Sequence, residues 1–162
     1  MRYFLLALFS IFLMNANAEN TFSHERNLAV DFVLKFYPEY TREQLLLFPV
    51  IKVSHDDICS YMNMESNCRV QATYASIEGF ITGYMTIREN MVYESQTEII
   101  KVFVHETVHH IQHISGRMFE YECALNSEVE AYTVANMYLE SVNRDDLKTQ
   151  DYVIDRFKDC NK

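Results

Sequence analysis

The spacing of apolar residues along the chain predicts several helices and a small sheet. Apolar side chains recur every three or four residues over 23–37, which is typical of a helix, and shorter helical segments are predicted over 41–47 and 56–62. Strands are predicted over 49–54 and 69–75, the latter because apolar and polar residues alternate there. The pattern therefore indicates a helix-rich α+β fold.

A β-hairpin is predicted in the middle of the chain. Residues 80–87 and 91–93 are expected to be its two strands, and Glu89 and Asn90 are expected to form the turn between them. This hairpin would lie immediately before the longest helix.

The longest helix has clear signals at both ends. Ser95 and Glu98 have the spacing of a capping box, and Gly116 stands where a left-handed residue is expected to end the helix. The helix is apolar on almost all sides in its first half, which predicts that it is buried. A further long helix is predicted over 125–142 and a short one over 151–157.

The first 18 residues are predicted to be a signal peptide. Arg2 provides a positive start, residues 3–14 are apolar, and Ala16 and Ala18 have the spacing of a cleavage site. Cleavage after Ala18 would leave one domain over 19–162 that is exported to the periplasm or secreted. A retained membrane anchor is the alternative, but the apolar stretch is short for a membrane span.

The acidic composition limits the partners of the protein. The chain has 23 Asp and Glu against 14 Lys and Arg, a formal net charge of −9. Such a surface repels phosphate groups, so we expect no nucleic-acid partner and no membrane association after cleavage of the signal peptide. The sequence does not predict the oligomeric state.

Four cysteines are expected to form two disulfides in an exported protein. Three pairings are possible, and the preferred one joins Cys59 to Cys68 and Cys123 to Cys160, because each bridge then closes a local segment. A cysteine metal site is not expected, because the chain has no Cys-x-x-Cys spacing.

The segment HETVH on the longest helix is the main chemical signal. His105 and His109 are one helical turn apart, so both rings project from one face and are predicted to bind one zinc ion. Glu106 is predicted to be the general base that activates water rather than a ligand. The motif falls on a helix that is expected to be buried, where unpaired ionisable groups would be costly.

A catalytic zinc site needs a third protein ligand. The metzincin arrangement fails, because the position of its third histidine is Ser115. The next helix offers Glu128 and Glu130, which point about 200° apart, so only one of them is able to reach the metal.

Glu128 is the preferred third ligand. Its face of the helix continues through Ala131 and Ala135, and such small residues allow two helices to pack closely. Glu130 has capping-box spacing from Ser127, which would give it a structural role at the start of the helix.

The pairing of HETVH with Glu128, 19 residues after the second histidine, resembles the gluzincin branch of zinc metallopeptidases. The fragments HETVHHIQH and EVEAY are also similar to small exported bacterial zincin-like proteins. The resemblance implies a zincin-like fold, in which a twisted sheet lies over the motif helix and an edge strand holds an extended substrate; the hairpin over 80–93 would provide that strand. Gluzincins carry an aspartate where this chain has Tyr132, so the support of a ligand histidine would come from the Tyr132 hydroxyl or another carboxylate.

The sequence therefore predicts a zinc-dependent hydrolase, a metallopeptidase with a peptide or protein substrate. The metal ligands would be His105, His109 and Glu128, and Glu106 would be the catalytic base. An amidase or esterase with the same zinc site is one alternative, and a binding module with a structural zinc is another. Among the remaining histidines of this helix, His110 and His113 are expected to have supporting or solvent-facing roles.

Overall fold

A computed structural model describes residues 21–61, 68, 70–75 and 83–158. The predicted signal peptide, 1–18, lies outside the described residues, and so does Cys160. The described part of the chain contains six α-helices: α1 Ser23–Val33, α2 Arg42–Leu45, α3 His55–Tyr61, α4 Gln96–Ile114, α5 Ala124–Ser141 and α6 Asp151–Phe157. It also contains three strands: β1 Val50–Val53, β2 Ala72–Ala75 and β3 Tyr84–Arg88. The predicted helix-rich α+β fold is confirmed.

The three strands form one mixed sheet with β3 at its centre. β1 is parallel to β3 and β2 is antiparallel to it, in the order β1-β3-β2. Met85 of β3 lies opposite Val50 on one side and Tyr74 on the other. Among the strands that the structure describes, β2 is therefore at an edge, and it lies against α4.

The predicted hairpin is wrong in its second half. Residues Glu89–Tyr93 form a 3-10 helix instead of a strand. β3 already has a partner on each side, so no edge of it is left for a following strand. Met91 instead turns inward and is fully buried in the core.

The longest helix, α4, has the predicted ends. Ser95 and Glu98 form the reciprocal capping box, and Gly116 adopts a left-handed conformation with φ of 78° just after the helix. The side chains of Phe103, Val104 and Val108 are completely buried. α4 thus runs through the core and packs against both α1 and α5.

A disulfide joins Cys59 to Cys68, as predicted. Such a bond is compatible with an exported protein, because disulfides persist in oxidising compartments. The predicted bond from Cys123 to Cys160 involves a residue outside the described part. None of the described helices combines the length and the apolar character needed to cross a membrane.

Candidate metal centre

Helices α4 and α5 bring the three predicted metal ligands together. The Nε2 atoms of His105 and His109 lie 3.1 Å apart on one face of α4. The carboxylate of Glu128 on α5 reaches both rings, with 3.1 Å from Oε2 to His105 and 3.2 Å from Oε1 to His109. Within the described residues, these three side chains form a group able to hold a metal ion.

Close packing of the two helices explains how Glu128 reaches the histidines. Ala131 and Ala135 follow Glu128 at helical spacing on the same face of α5, and both are completely buried. Because alanine adds little bulk, the backbone of α5 approaches α4 closely. Glu128, the glutamate that the facing argument favours, is the one that lies beside both histidines.

Glu130 lies in a separate hydrogen-bonded cluster. Its carboxylate accepts hydrogen bonds from the hydroxyl groups of Tyr37, at 2.7 Å, and Tyr121, at 3.0 Å. It also accepts one from Arg117 Nη1 at 2.8 Å and one from Gln112 Nε2 at 2.9 Å. These donors lower the pKa of Glu130, although burial alone would raise it.

The predicted capping box at Ser127 and Glu130 is wrong. α5 begins three residues earlier, at Ala124, so Ser127 is inside the helix and buried. Glu130 does have a structural role, but through the tertiary contacts of its carboxylate rather than through the start of the helix.

Gln112 determines which nitrogen of His109 carries hydrogen. The Gln112 Nε2 group donates to Ser127 O and to the carboxylate of Glu130, both at 2.9 Å. Both partners only accept hydrogen bonds, so the amide nitrogen must face them and Oε1 must face His109 Nδ1, at 2.8 Å. The Nδ1 atom of His109 is therefore the N–H donor, and Nε2 of the neutral ring presents a lone pair to His105 and Glu128.

The donor set fits a zinc ion. Two imidazole nitrogens and one carboxylate are ligands that zinc takes in catalytic sites. Their separations of 3.1–3.2 Å are near the roughly 3.3 Å expected between ligand atoms around a tetrahedral zinc with bonds of about 2.0–2.1 Å. Lone pairs that converge at this distance repel one another unless a proton or a cation lies between them. The identity of the metal is not fixed by these residues, because imidazole also suits other transition metals.

Without a metal, the group binds a proton in its place. Burial lowers the pKa of His105. Burial also acts to lower the pKa of His109, but the hydrogen bond and charge of Glu128 outweigh it and raise that pKa to about 9. The pKa of Glu128 is lowered despite burial, because both histidines donate hydrogen bonds to it. Metal binding would therefore displace a proton from His109.

Glu106 lies beside this group without being part of it. Its side chain is buried, and its Oε2 atom has no hydrogen-bond partner within the described residues. The pKa of Glu106 is raised to about 8, and burial is the largest cause. The charge of Glu128 also raises this pKa, whereas His109 and a hydrogen bond with the Tyr74 backbone lower it. The carboxyl group is thus positioned to exchange a proton near neutral pH.

Tyr132 contacts the site with its ring. The ring lies edge-on to His105 with 4.4 Å between the centroids, and it stacks on Phe157 at 5.5 Å. Burial and the charges of Glu128 and Glu106 raise the pKa of Tyr132 to about 12, so its hydroxyl stays protonated at neutral pH. The hydrogen bond that supports His109 comes from Gln112, which the sequence analysis did not identify.

His110, for which a supporting or solvent-facing role was predicted, does not face solvent. It is fully buried, and its Nε2 donates to Gln44 O at 3.0 Å while Nδ1 accepts from the Tyr74 hydroxyl at 2.9 Å. Burial lowers its pKa to about 4, so the ring is neutral at pH 7. The neighbouring His113 is also buried, and its ring packs against Tyr74 and Phe119.

No protein-family model, no curated protein and no solved structure matches this chain. The resemblance to gluzincins therefore depends only on the residues from which it was drawn, and it stays a prediction.

Proposed function

We propose that the chain is a zinc-dependent hydrolase and, within that class, a metallopeptidase. The observation that carries the proposal is the arrangement of four side chains, three candidate ligands and one neighbouring carboxyl group. Three side chains that could hold a metal ion converge on one point, while the buried carboxyl group of Glu106 lies beside them with one oxygen that has no partner among the described residues. A structural site has no need of such a base.

In the proposed mechanism, His105, His109 and Glu128 hold the ion. When bound, zinc supplies Lewis acidity, which lowers the pKa of water and polarises a carbonyl group. Glu106 takes a proton from water as the water oxygen bonds to the carbonyl carbon. As the C–N bond breaks, Glu106 donates that proton to the leaving nitrogen, which departs as an amine. A cation bound beside Glu106 would favour its ionised form, which is the form that accepts the proton from water.

The ligand group is accessible to a substrate. The side chain of Glu128 is 29% exposed and that of His105 is 13% exposed, whereas Glu106 is deeply buried. A substrate would approach from the Glu128 side and exclude water from Glu106 as it binds.

The edge strand β2 favours a peptide as the substrate. Within the described residues, β2 pairs with β3 on one side only, and Tyr74 within it is hydrogen-bonded through its backbone to Glu106. An extended peptide added along an exposed strand edge gains main-chain hydrogen bonds. β2, rather than the predicted hairpin over 80–93, is the strand that would hold the peptide. An amide or ester that is not a peptide would make no use of this edge.

The alternative of a purely structural zinc is less well supported. Structural zinc sites have four protein ligands, whereas the group found within the described residues supplies three.

The test compares Glu106→Gln with the wild type and with Glu140→Gln, a control at an exposed residue of α5. Zinc content is measured by elemental analysis, and cleavage is measured by mass spectrometry of a peptide-library digest. All three proteins are expected to bind one zinc, and only Glu106→Gln is expected to lose cleavage, by at least about 100-fold. A zinc-loaded wild type that cleaves no peptide, or a Glu106→Gln variant with wild-type activity, would contradict the proposal.

A further inference from the structure

We propose that Gln112 is a positioning residue of the metal site, which connects His109 to the carboxylate of Glu130. The inference rests on the proposed metal site but not on the proposed hydrolysis. The contacts run in one line: His109 Nδ1 donates to Gln112 Oε1 at 2.8 Å, and Gln112 Nε2 donates to Glu130 Oε2 at 2.9 Å. Metal-ligating histidines commonly donate their second N–H to a carboxylate directly, and here an amide lies between the two.

The far end of this line, the Glu130 carboxylate, is fixed by further hydrogen bonds. Tyr37, Arg117 and Tyr121 donate three further hydrogen bonds to the Glu130 carboxylate, at 2.7, 2.8 and 3.0 Å. They come from the segment after α1 and from the loop between α4 and α5, so together with Gln112 on α4 three separate parts of the chain fix one carboxylate. A carboxylate with four donors has no freedom to rotate away from Gln112.

The middle of the line has only one orientation. Gln112 is completely buried, and both hydrogens of its amide nitrogen are used by acceptors, Ser127 O and Glu130. Reversing the amide would place its oxygen against two acceptors and its N–H₂ against an N–H donor. The amide oxygen is therefore fixed toward His109, and it selects the tautomer whose Nε2 lone pair points at the metal position.

The line also explains why α5 carries two glutamates near the site. Glu128 supplies a ligand, and Glu130 anchors the residue that orients another ligand. The two carboxylates act on the same histidine from opposite sides, one at Nε2 and the other through Gln112 at Nδ1.

If Gln112 had only a structural role, its removal would lower stability without changing metal affinity. The amide joins α4 to α5, so its removal would lower stability whether or not it orients His109. The test must therefore measure metal affinity separately from stability. Cobalt(II) is a suitable probe, because its visible absorption reports both binding and ligand geometry.

We compare Gln112→Leu with the wild type and with Asn136→Ala in the full chain. Asn136 is a matched control, because its amide also makes two hydrogen bonds within the fold, to the backbone of Thr149, but far from the ligands. Both variants are expected to unfold at a lower temperature than the wild type. Only Gln112→Leu is expected to bind Co²⁺ about 10- to 100-fold more weakly and to show a shifted visible spectrum.

A rescue variant completes the design. The double variant Gln112→Glu with Glu130→Gln places the carboxylate next to His109 and the amide behind it, which restores an acceptor for Nδ1–H at unchanged net charge. Because a carboxylate cannot donate to Ser127 O, this variant is expected to unfold at a lower temperature than the wild type while it keeps its metal affinity. It is expected to bind Co²⁺ within about threefold of the wild type. If Gln112→Leu does not fold by circular dichroism, Glu130→Gln alone serves as the test variant, with an expected several-fold loss of Co²⁺ affinity.

Two outcomes would overturn the inference. The first is that Gln112→Leu, or Glu130→Gln where Gln112→Leu does not fold, binds Co²⁺ as tightly as the wild type. The second is that the double variant binds Co²⁺ as weakly as that single variant. A wild type that binds no stoichiometric Co²⁺ or Zn²⁺ would instead contradict the proposed function itself, so the two failures are distinguishable.

Discussion

Glu128 and Glu130 lie two residues apart on α5, and their carboxylates face different surroundings: Glu128 contacts the Nε2 atoms of two histidines, and Glu130 contacts Tyr37, Arg117 and Tyr121. The helical twist separates neighbouring acids of like charge, so each is stabilised by its own partners. This separation makes the roles of the two residues experimentally distinct.

Glu128→Gln should weaken metal binding far more than Glu130→Gln. The first change replaces a charged ligand with a neutral amide, whereas the second leaves all three ligands in place and acts only through Gln112. We expect the dissociation constant for Zn²⁺, measured by competition with a chelator, to rise at least tenfold more in Glu128→Gln. Equal effects would contradict the assignment of Glu128 as the third ligand, and a larger effect of Glu130→Gln would favour Glu130 instead.

Ala131→Leu should damage both the fold and the site. Ala131 is completely buried on the face of α5 that carries Glu128, so a larger side chain would separate α5 from α4. We expect a loss of about 1–3 kcal/mol in the free energy of unfolding, together with weaker Zn²⁺ binding. Met137→Leu is the control, because Met137 is on the same helix but exposed, and it should change stability by less than about 0.5 kcal/mol. Unchanged metal affinity in a folded Ala131→Leu variant would show that helix spacing does not control the site.

Local signals in the sequence were sufficient to predict which three side chains lie together in the candidate metal centre. The capping box at Ser95 and the glycine at 116 define α4, and helical geometry then places His105 and His109 on one face. Small residues on α5 indicated which glutamate meets them. These inferences needed only neighbours within one or two helical turns.

The remaining parts depend on contacts between distant residues. Glu130 meets Tyr37 across 93 positions in the chain, and His110 meets Tyr74 across 36, so no local pattern reveals them. The role of Gln112 follows from its partner on another helix, although its place one turn after His109 was a usable signal. The hairpin prediction failed because the partners of β3 were not its neighbours in sequence.

His110 should make the metal-free protein less stable in acid. Its pKa is lowered by burial to about 4 in the folded protein, below the ordinary value of 6.5, so the unfolded chain binds the proton first. Stability is therefore lost as pH falls from about 6.5 toward 4, by up to about 1.4 kcal/mol per pH unit. In the presence of EDTA, urea unfolding of His110→Gln should show a shallower pH dependence over this range, and the exposed-site control His24→Gln should not. The same slope in all three proteins would show that His110 does not remain neutral in the fold.

Glu106 should have the opposite effect at higher pH. Burial raises its pKa to about 8, above the ordinary value of 4.5, so the folded metal-free protein retains a proton that the unfolded chain releases. Stability consequently falls as pH rises from about 4.5 to 8, and it falls further toward pH 9 because the raised pKa of His109 acts in the same direction. Glu106→Gln cannot titrate, so in EDTA its unfolding free energy should decline less between pH 5 and 8. Zinc should also flatten the wild-type dependence, because a cation beside Glu106 favours the ionised carboxylate. Parallel curves for the wild type and Glu106→Gln would mean that Glu106 is already ionised in the metal-free fold, which would contradict the raised pKa of this residue.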